Sequence, residues 1–212
     1  MSRGRFITLE GGEGSGKSTH VKRLAEGLRG AGIEVLTTRE PGGTPDAEAI
    51  RGLLVQGDIG RWDPVTEALL HNAARREHLT EVVWPALDGG GWVISDRFAD
   101  STTAYQGYGL GLDAEVLAAL HQAAVGDFKP DLTVVLDLPV AEGLARAAAR
   151  RSNEDRYERM GEEVHLRIRD GFLAIAKGDP DRCAVIDATG SIEATQAAIR
   201  AAVGARLGLE LK

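Results

Sequence analysis

The sequence predicts an α/β fold, a five-stranded parallel sheet covered by helices on both faces. Three observations predict it. Short apolar, partly β-branched runs recur along the chain, stretches of 3.6-residue periodicity separate them, and the first run feeds a glycine-rich turn that opens a helix. The runs are 5–10, 34–38, 91–95, 132–137 and 183–187. They are continuously apolar, as strands covered on both faces are.

The elements follow in order. Run 5–10 leads through a glycine turn into helix 17–30, where Val21, Leu24, Ala25 and Leu28 share a face. Run 34–38 precedes helix 45–56, whose start is marked by Thr44 as a cap and Pro45 in the first turn. Helix 64–87 begins in the same way, with Asp63 before Pro64, and Gly89, Gly90 and Gly91 end it. Helix 113–125, run 132–137, helices 139–150 and 159–177, run 183–187 and helix 191–207 complete the series. Alternation of this kind requires right-handed helical crossovers between parallel strands. It reads as a single domain over 1–212.

Composition narrows the function. The 212 residues carry 25 Lys and Arg against 32 Asp and Glu, a net charge of −7, which argues against general nucleic-acid binding. No apolar run reaches membrane-spanning length, so no membrane partner is expected. Cys183 is the only cysteine, which rules out an intrachain disulfide and suits a reducing cytoplasm.

The most specific signal lies at Gly11-Gly12-Glu13-Gly14-Ser15-Gly16-Lys17-Ser18-Thr19. This is the phosphate-binding pattern G-x-x-x-x-G-K-[ST], set between a strand and a helix as its chemistry requires. Backbone N–H groups of such a loop, with the positive end of the helix dipole, hold phosphate oxygens. Lys17 adds charge for the outer phosphates, and Ser18 offers a hydroxyl to Mg²⁺. A nucleoside triphosphate is therefore expected here.

In an open α/β sheet, ligands bind at the carboxyl ends of the strands. Arg39 and Arg97 stand at two of those ends, with Asp96 beside Arg97 and Asp137 at another. The guanidinium fork matches phosphate oxygens, so Arg39 and Arg97 together suggest a second phosphate site facing the first. Arg146, Arg150, Arg151 and Arg156 crowd one short segment. Arg146 and Arg150 are like charges one turn apart, an arrangement that favours a bound anion. Arginines brought over a transferred phosphoryl group stabilise its charge.

These residues resemble the thymidylate kinase family, bacterial type. The resemblance runs through nearly the whole chain. Its most specific part is ISDRFADSTTAYQ at 94–106, joined by GGEGSGKS, TREPGGT and LDLPVAEGLAR before an arginine-rich lid at about 146–158. It implies a P-loop nucleoside monophosphate kinase fold and transfer of the ATP γ-phosphoryl to dTMP, with Mg²⁺, in a cytoplasmic homodimer packed through long helices such as 64–87. It implies roles as well. Lys17, Arg150, Glu13 and Arg97 form the catalytic set. Residues 11–19 with Arg146 and Arg156 bind ATP. Glu13, Arg39, His71, Arg75, Asp96, Arg97, Thr102, Tyr105 and Gln106 bind dTMP, with Thr102 reading the base edge and Tyr105 crowding the 2′ position of the sugar. Ser18 holds Mg²⁺ directly and Asp96 through water. His71 stands where the family commonly has a phenylalanine stacked on thymine. Three other readings of the residues exist: a kinase for another monophosphate, a GTP-dependent switch, and a P-loop ligase. The second lacks the guanine-reading Asn-Lys-x-Asp. A ligase acting on a carboxylate would also use the Arg39 and Arg97 pair.

Overall fold

A computed structural model describes residues 3–149 and 154–209. Among them, β1 (Phe6–Glu10) enters the glycine loop and α1 (Lys17–Gly30) leaves it. Then come β2 (Val35–Arg39), α2 (Pro45–Val55) and α3 (Pro64–His78). A π-helical turn, Leu79–Val83, joins α3 to α4 (Trp84–Asp88) ahead of β3 (Trp92–Asp96). Next are α5 (Ala99–Thr102), a second π-helical stretch, Thr103–Gly109, and α6 (Ala114–Val125). The chain continues through β4 (Leu132–Asp137), α7 (Val140–Ala148), α8 (Glu162–Gly178), β5 (Cys183–Asp187) and α9 (Ile192–Leu207).

The five strands are all parallel, in the order β2-β3-β1-β4-β5. The strand that carries the glycine loop is therefore central, and order reverses around it, the place where open α/β sheets bind ligands. Both faces are covered. Ile7, Leu9, Val134 and Leu136 pack with Leu24 and Leu28 of α1 and Ile199 and Val203 of α9. Phe6, Val93 and Phe98 pack on the other face with Leu79, Val83 and Val125. Phe6 meets Phe98 edge-on and stacks on Phe128. Among the described residues, no helix is long and apolar enough to cross a membrane.

The strand and helix boundaries read from sequence hold to within one to three residues, and the single helix predicted over 64–87 needs correction. Pro85 has no N–H for the carbonyl one turn back. Thr80 Oγ1 donates to the carbonyls of Arg76 and Glu77, at 3.1 and 3.0 Å, competing for the same acceptors. The helix widens into a π turn at Leu79–Val83, around Thr80 and just ahead of Pro85. The helix within the polar segment after β3 starts at Ala99 and widens into the π stretch that carries Tyr105 and Gln106.

The caps form as read. Thr44 Oγ1 accepts from Ala47 N at 3.1 Å, and Asp63 accepts from the backbone of Val65 and Thr66. Thr44 is buried, so water cannot replace its bond. Thr44→Ala should lower the unfolding free energy by about 1 kcal/mol, measured by urea titration, with the slope of the transition unchanged.

Candidate functional site: two clefts meeting at one ion pair

Two clefts open at the carboxyl edge of the sheet. The first, about 850 Å³, is lined by Gly14, Ser15, Gly16, Lys17 and Ser18 of the glycine loop together with Arg39, Asp96 and Glu154. The second, about 620 Å³, is lined by His71, Arg75, Phe98, Tyr105, Gln106 and Tyr157. Glu13, Glu40, Arg51, Arg97, Glu154 and Glu158 line both.

In the first cleft Lys17 is held back. Its ammonium donates to the carbonyls of Gly11 at 3.1 Å and Gly12 at 2.8 Å, and to Ser15 Oγ at 3.2 Å. Burial, and then the neighbouring Arg97, push its pKa down to about 8, a poise that a bound polyanion would reverse. Ser18 and Thr19 are exposed at the start of α1, and Ser18 Oγ donates to Asp96 at the end of β3. Gly14 has φ +68°, and a Cβ there would lie 2.0 Å from the carbonyl oxygen of Gly143 in α7. A Cβ on Gly143 would lie 2.4 Å from the carbonyl of Glu13. Loop and helix touch backbone to backbone, which only glycine on both sides allows.

The clefts meet at Glu13 and Arg97. Arg97 Nη2 lies 2.9 Å from Glu13 Oε1. It also donates to Tyr105 OH at 2.8 Å, and that hydroxyl donates to Glu13 at 2.6 Å. Burial alone would raise the Glu13 carboxyl, but Arg97 and Lys17 outweigh it and hold its pKa down at about 2. Arg97 has φ +73°, the left-handed region that residues with a Cβ avoid. The fold holds it there: its N–H donates to Leu9 O at 3.0 Å and its carbonyl accepts from Ser95 Oγ at 2.7 Å. Glu10, buried at the end of β1, accepts from Phe98 N at 2.7 Å and Ser101 Oγ at 2.6 Å. Burial and the nearby Asp100 push its carboxyl up to about 8.

The second cleft is polar at its inner wall. Arg75 is buried, with Nε 2.8 Å from Glu40 and Nη2 2.9 Å from Thr102 Oγ1. Glu40 also accepts from His78 Nδ1 at 3.0 Å, and His78 meets Thr38 Oγ1 through Nε2 at 2.7 Å. His71 Nε2 is 2.9 Å from Tyr157 OH. Burial first, then Arg75, push the His71 pKa down to about 3, so the ring is neutral.

The structure brings together most of the residues singled out in the sequence, and it corrects several. Thr102 does not line the cleft; its hydroxyl orients Arg75 instead. His71 is engaged by Tyr157 through a hydrogen bond, with the rings tilted at 46°, and so belongs to a polar chain as well as to the cleft wall. Arg156 is far from a solvent-facing anion clamp. It is 1% exposed and bonded to Glu67 at 2.6 Å and to the carbonyls of Leu54 and Asp58. Arg146 pairs with Glu142 one turn back, which removes the like-charge argument made for it, and it lines neither cleft. Arg39 lines the first cleft but is half exposed and paired with Glu48 at 2.9 Å. Arg150 and Arg151 lie outside the described residues.

Sequence reasoning missed Arg51. It lines both clefts, donates to Pro41 O at 2.8 Å and pairs with Glu154 at 2.6 Å. A lone arginine on α2 carries no motif; only the folded chain sets it opposite Arg97. Glu40, Glu67 and Tyr157 were missed for the same reason.

The comparisons agree on one relationship. The family profile described as Thymidylate kinase matches residues 9–199. The thymidylate kinase of Caulobacter vibrioides is 53% identical over 209 residues, covering 99% of this chain and 100% of that one. The thymidylate kinase of Geobacter sulfurreducens is 50% identical over 201 residues, covering 92% and 94%. Among solved structures, a thymidylate kinase from Ehrlichia chaffeensis matches with a TM-score of 0.78 at 35% identity, over 95% of this chain and 99% of that one.

The ion pair at the junction has a signature in acid. A carboxyl held at about 2 in the folded chain, against 4.5 ordinarily, contributes stability that is present above pH 4.5 and is lost as the pH falls towards 2. The unfolding free energy of wild type should exceed that of Glu13→Gln by on the order of 3 kcal/mol at neutral pH. Denaturant titrations at pH 7, 4 and 3 should show the gap narrowing. A gap that does not change with pH would mean that Glu13 is not held as an ion.

Proposed function

The chain belongs to the thymidylate kinase family, and from that premise we propose which of its groups carry out the reaction. The protein transfers the γ-phosphoryl of ATP to dTMP, giving dTDP and ADP. The observation that supports the assignment of groups is the meeting of two clefts at Glu13 and Arg97. One cleft is floored by the glycine loop and suits a triphosphate. The other is walled by Arg75, His71 and Gln106 and suits a nucleobase.

In this reading ATP lies along residues 11–19, with Lys17 leaving the loop carbonyls to meet the outer phosphates. The acceptor phosphate sits between the clefts on Arg97 and Arg51, with Arg39 at the rim. Arg75 donates to a carbonyl of the base, and Tyr105 closes over the sugar. Glu13 releases Arg97 to the phosphate and faces the acceptor. In-line displacement then needs little from the protein beyond alignment and charge. The lid at about 146–158 brings Arg150 over the transferred group; α7, seated on the loop through Gly14 and Gly143, sets where that segment begins.

The residues present fit a Mg²⁺ ion. The Ser18 hydroxyl and the Asp96 carboxylate are hard oxygen donors in contact beside the loop. Among the described residues no group of three or more His, Cys, Asp or Glu is placed to hold a metal, as suits an ion bound mainly through substrate phosphates. When bound, Mg²⁺ neutralises charge on those phosphates.

We propose further that the protein works in the cytoplasm as a homodimer. Val65 and Leu69, one turn apart on α3, are 40% and 49% exposed. They form an apolar stripe on the long helix assigned to the interface. Light scattering after size exclusion should give twice the 22.5 kDa chain mass, and Leu69→Glu should give the monomer.

A coupled ADP-release assay tests the reaction. Activity should be highest with dTMP and much lower with dCMP and dGMP; equal rates would defeat the assignment of the base wall. Arg97→Ala should raise the KM for dTMP at least tenfold, since a buried bidentate donor is lost. Arg150→Ala should lower kcat with little change in the KM for dTMP.

A further inference from the structure

Glu67 lies on α3 behind the base wall and is fully buried, and neither the sequence motifs nor the reaction assigns it a task. Its two carboxylate oxygens are used differently. Oε2 takes the guanidinium of Arg156 at 2.6 Å. Oε1 accepts from Tyr157 OH at 2.7 Å and from Gln106 Nε2 at 2.9 Å. Gln106 lines the second cleft and is 1% exposed, and its carbonyl Oε1 has no partner among the described residues.

A glutamine amide is nearly symmetric in shape and opposite in polarity at its two ends. Which end faces a ligand is decided by what holds the other. A carboxylate only accepts hydrogen bonds, so Glu67 compels Gln106 to turn its NH₂ inward. The carbonyl is left at the other end, buried and without a partner among the described residues. The same logic runs through Tyr157. Its single proton goes to Glu67, so it must accept from His71 Nε2–H, which leaves Nδ1 of that ring without a proton.

We propose that Glu67 is a specificity-determining positioning residue: it fixes the polarity of the base wall, so that Gln106 offers an acceptor where a thymine or uracil ring carries its N3–H and a cytosine ring carries a lone pair. The proposal rests on the reading of Gln106 as a base contact given above. It reaches past that reading, because it makes an acid outside the cleft responsible for which pyrimidine is read.

Glu67→Gln gives the sharpest test. Arg156 can only donate, so it claims the new amide's oxygen at the Oε2 position. The NH₂ then falls where Oε1 was, and a donor now faces Gln106. Gln106 turns over, and its own NH₂ meets the N3–H of dTMP donor to donor. A site whose buried polar groups are mismatched to the substrate loses far more than one that lacks a contact. The ratio of kcat/KM for dTMP to that for dCMP should fall at least tenfold, mostly in the KM for dTMP, and dUMP should fall in parallel with dTMP. A role confined to stability would lower all three substrates alike.

Gln106→Leu separates the two ideas. If Gln106→Leu lowers the dTMP to dCMP ratio and Glu67→Gln leaves it unchanged, the base contact stands and the proposal is overturned. If Gln106→Leu leaves the ratio unchanged, the base contact is wrong and the proposal falls with it. Loss of the carboxylate leaves the Arg156 charge buried and unpaired, which endangers folding. Should Glu67→Gln not fold, Glu67→Gln with Arg156→Met removes that charge. Both amide orientations are then open to residue 67, and the ratio should still fall; an unchanged ratio in the folded double variant overturns the proposal.

Discussion

The ion pair between Glu13 and Arg97 is the joint on which the rest of the site turns. Glu13 belongs to the donor loop after β1, and Arg97 to the strained turn after β3. Their contact ties two neighbouring strands of the sheet together at the edge where ligands bind. An arginine held at positive φ has an unusual backbone direction, and that direction carries its side chain across β1 to Gly11 O and Glu13. The backbone strain is held by Leu9 and Ser95. Glu13 and Tyr105 together hold the Arg97 guanidinium from one side. The arginine is thus prepaid in orientation, and the exchange of one anion for another costs little reorganisation.

The same device recurs around the clefts. Glu40 holds Arg75, Glu67 holds Arg156, and Asp100 holds Arg182 at 2.5 Å. A buried arginine without a partner would be strongly destabilising, and a pair merely breaks even against apolar packing. What these pairs supply is direction. Each carboxylate fixes one face of a guanidinium, and the other nitrogens meet backbone carbonyls or side-chain oxygens, so Arg75, Arg156 and Arg182 are each held in one orientation. Glu13, Glu40, Glu154 and Glu158 line both clefts beside Arg51 and Arg97, so acids and arginines share the same walls.

Much of this was legible in the sequence, and the boundary of legibility is physical. Strands 132–137 and 183–187 were readable to the residue, because each is a bare apolar run between turn residues, although the second lies at the sheet edge and is not covered on both faces as its composition suggested. The glycine loop was readable because its chemistry needs fixed spacing within one segment. Arg97 and Arg39 were readable as strand-end residues, and both line the first cleft. Arg51, Glu40, Glu67 and Tyr157 were not, since each draws its meaning from a partner on another element: Arg51 from Glu154, Glu67 from Gln106 and Arg156. Thr102 and Arg156 were misassigned for the converse reason. A hydroxyl or guanidinium near a motif can serve the ligand or serve the residue that serves it, and sequence distance does not separate the two.

Arg156 and Gly143 together bear on how the segment between them is governed. On one side, α7 sits on the glycine loop through a contact with no room for a side chain, Gly14 against Gly143. On the other, Arg156 and Tyr157 are fastened to Glu67 under the base wall, and Tyr157 stands edge-on to Tyr105 at 5.5 Å. The described residues on either side of the arginine-rich stretch are therefore tied to different walls, α7 to the loop after β1 and Arg156 with Tyr157 to the second cleft. A ligand that displaced the loop would act on the first tie, and one that displaced the wall of the second cleft would act on the other.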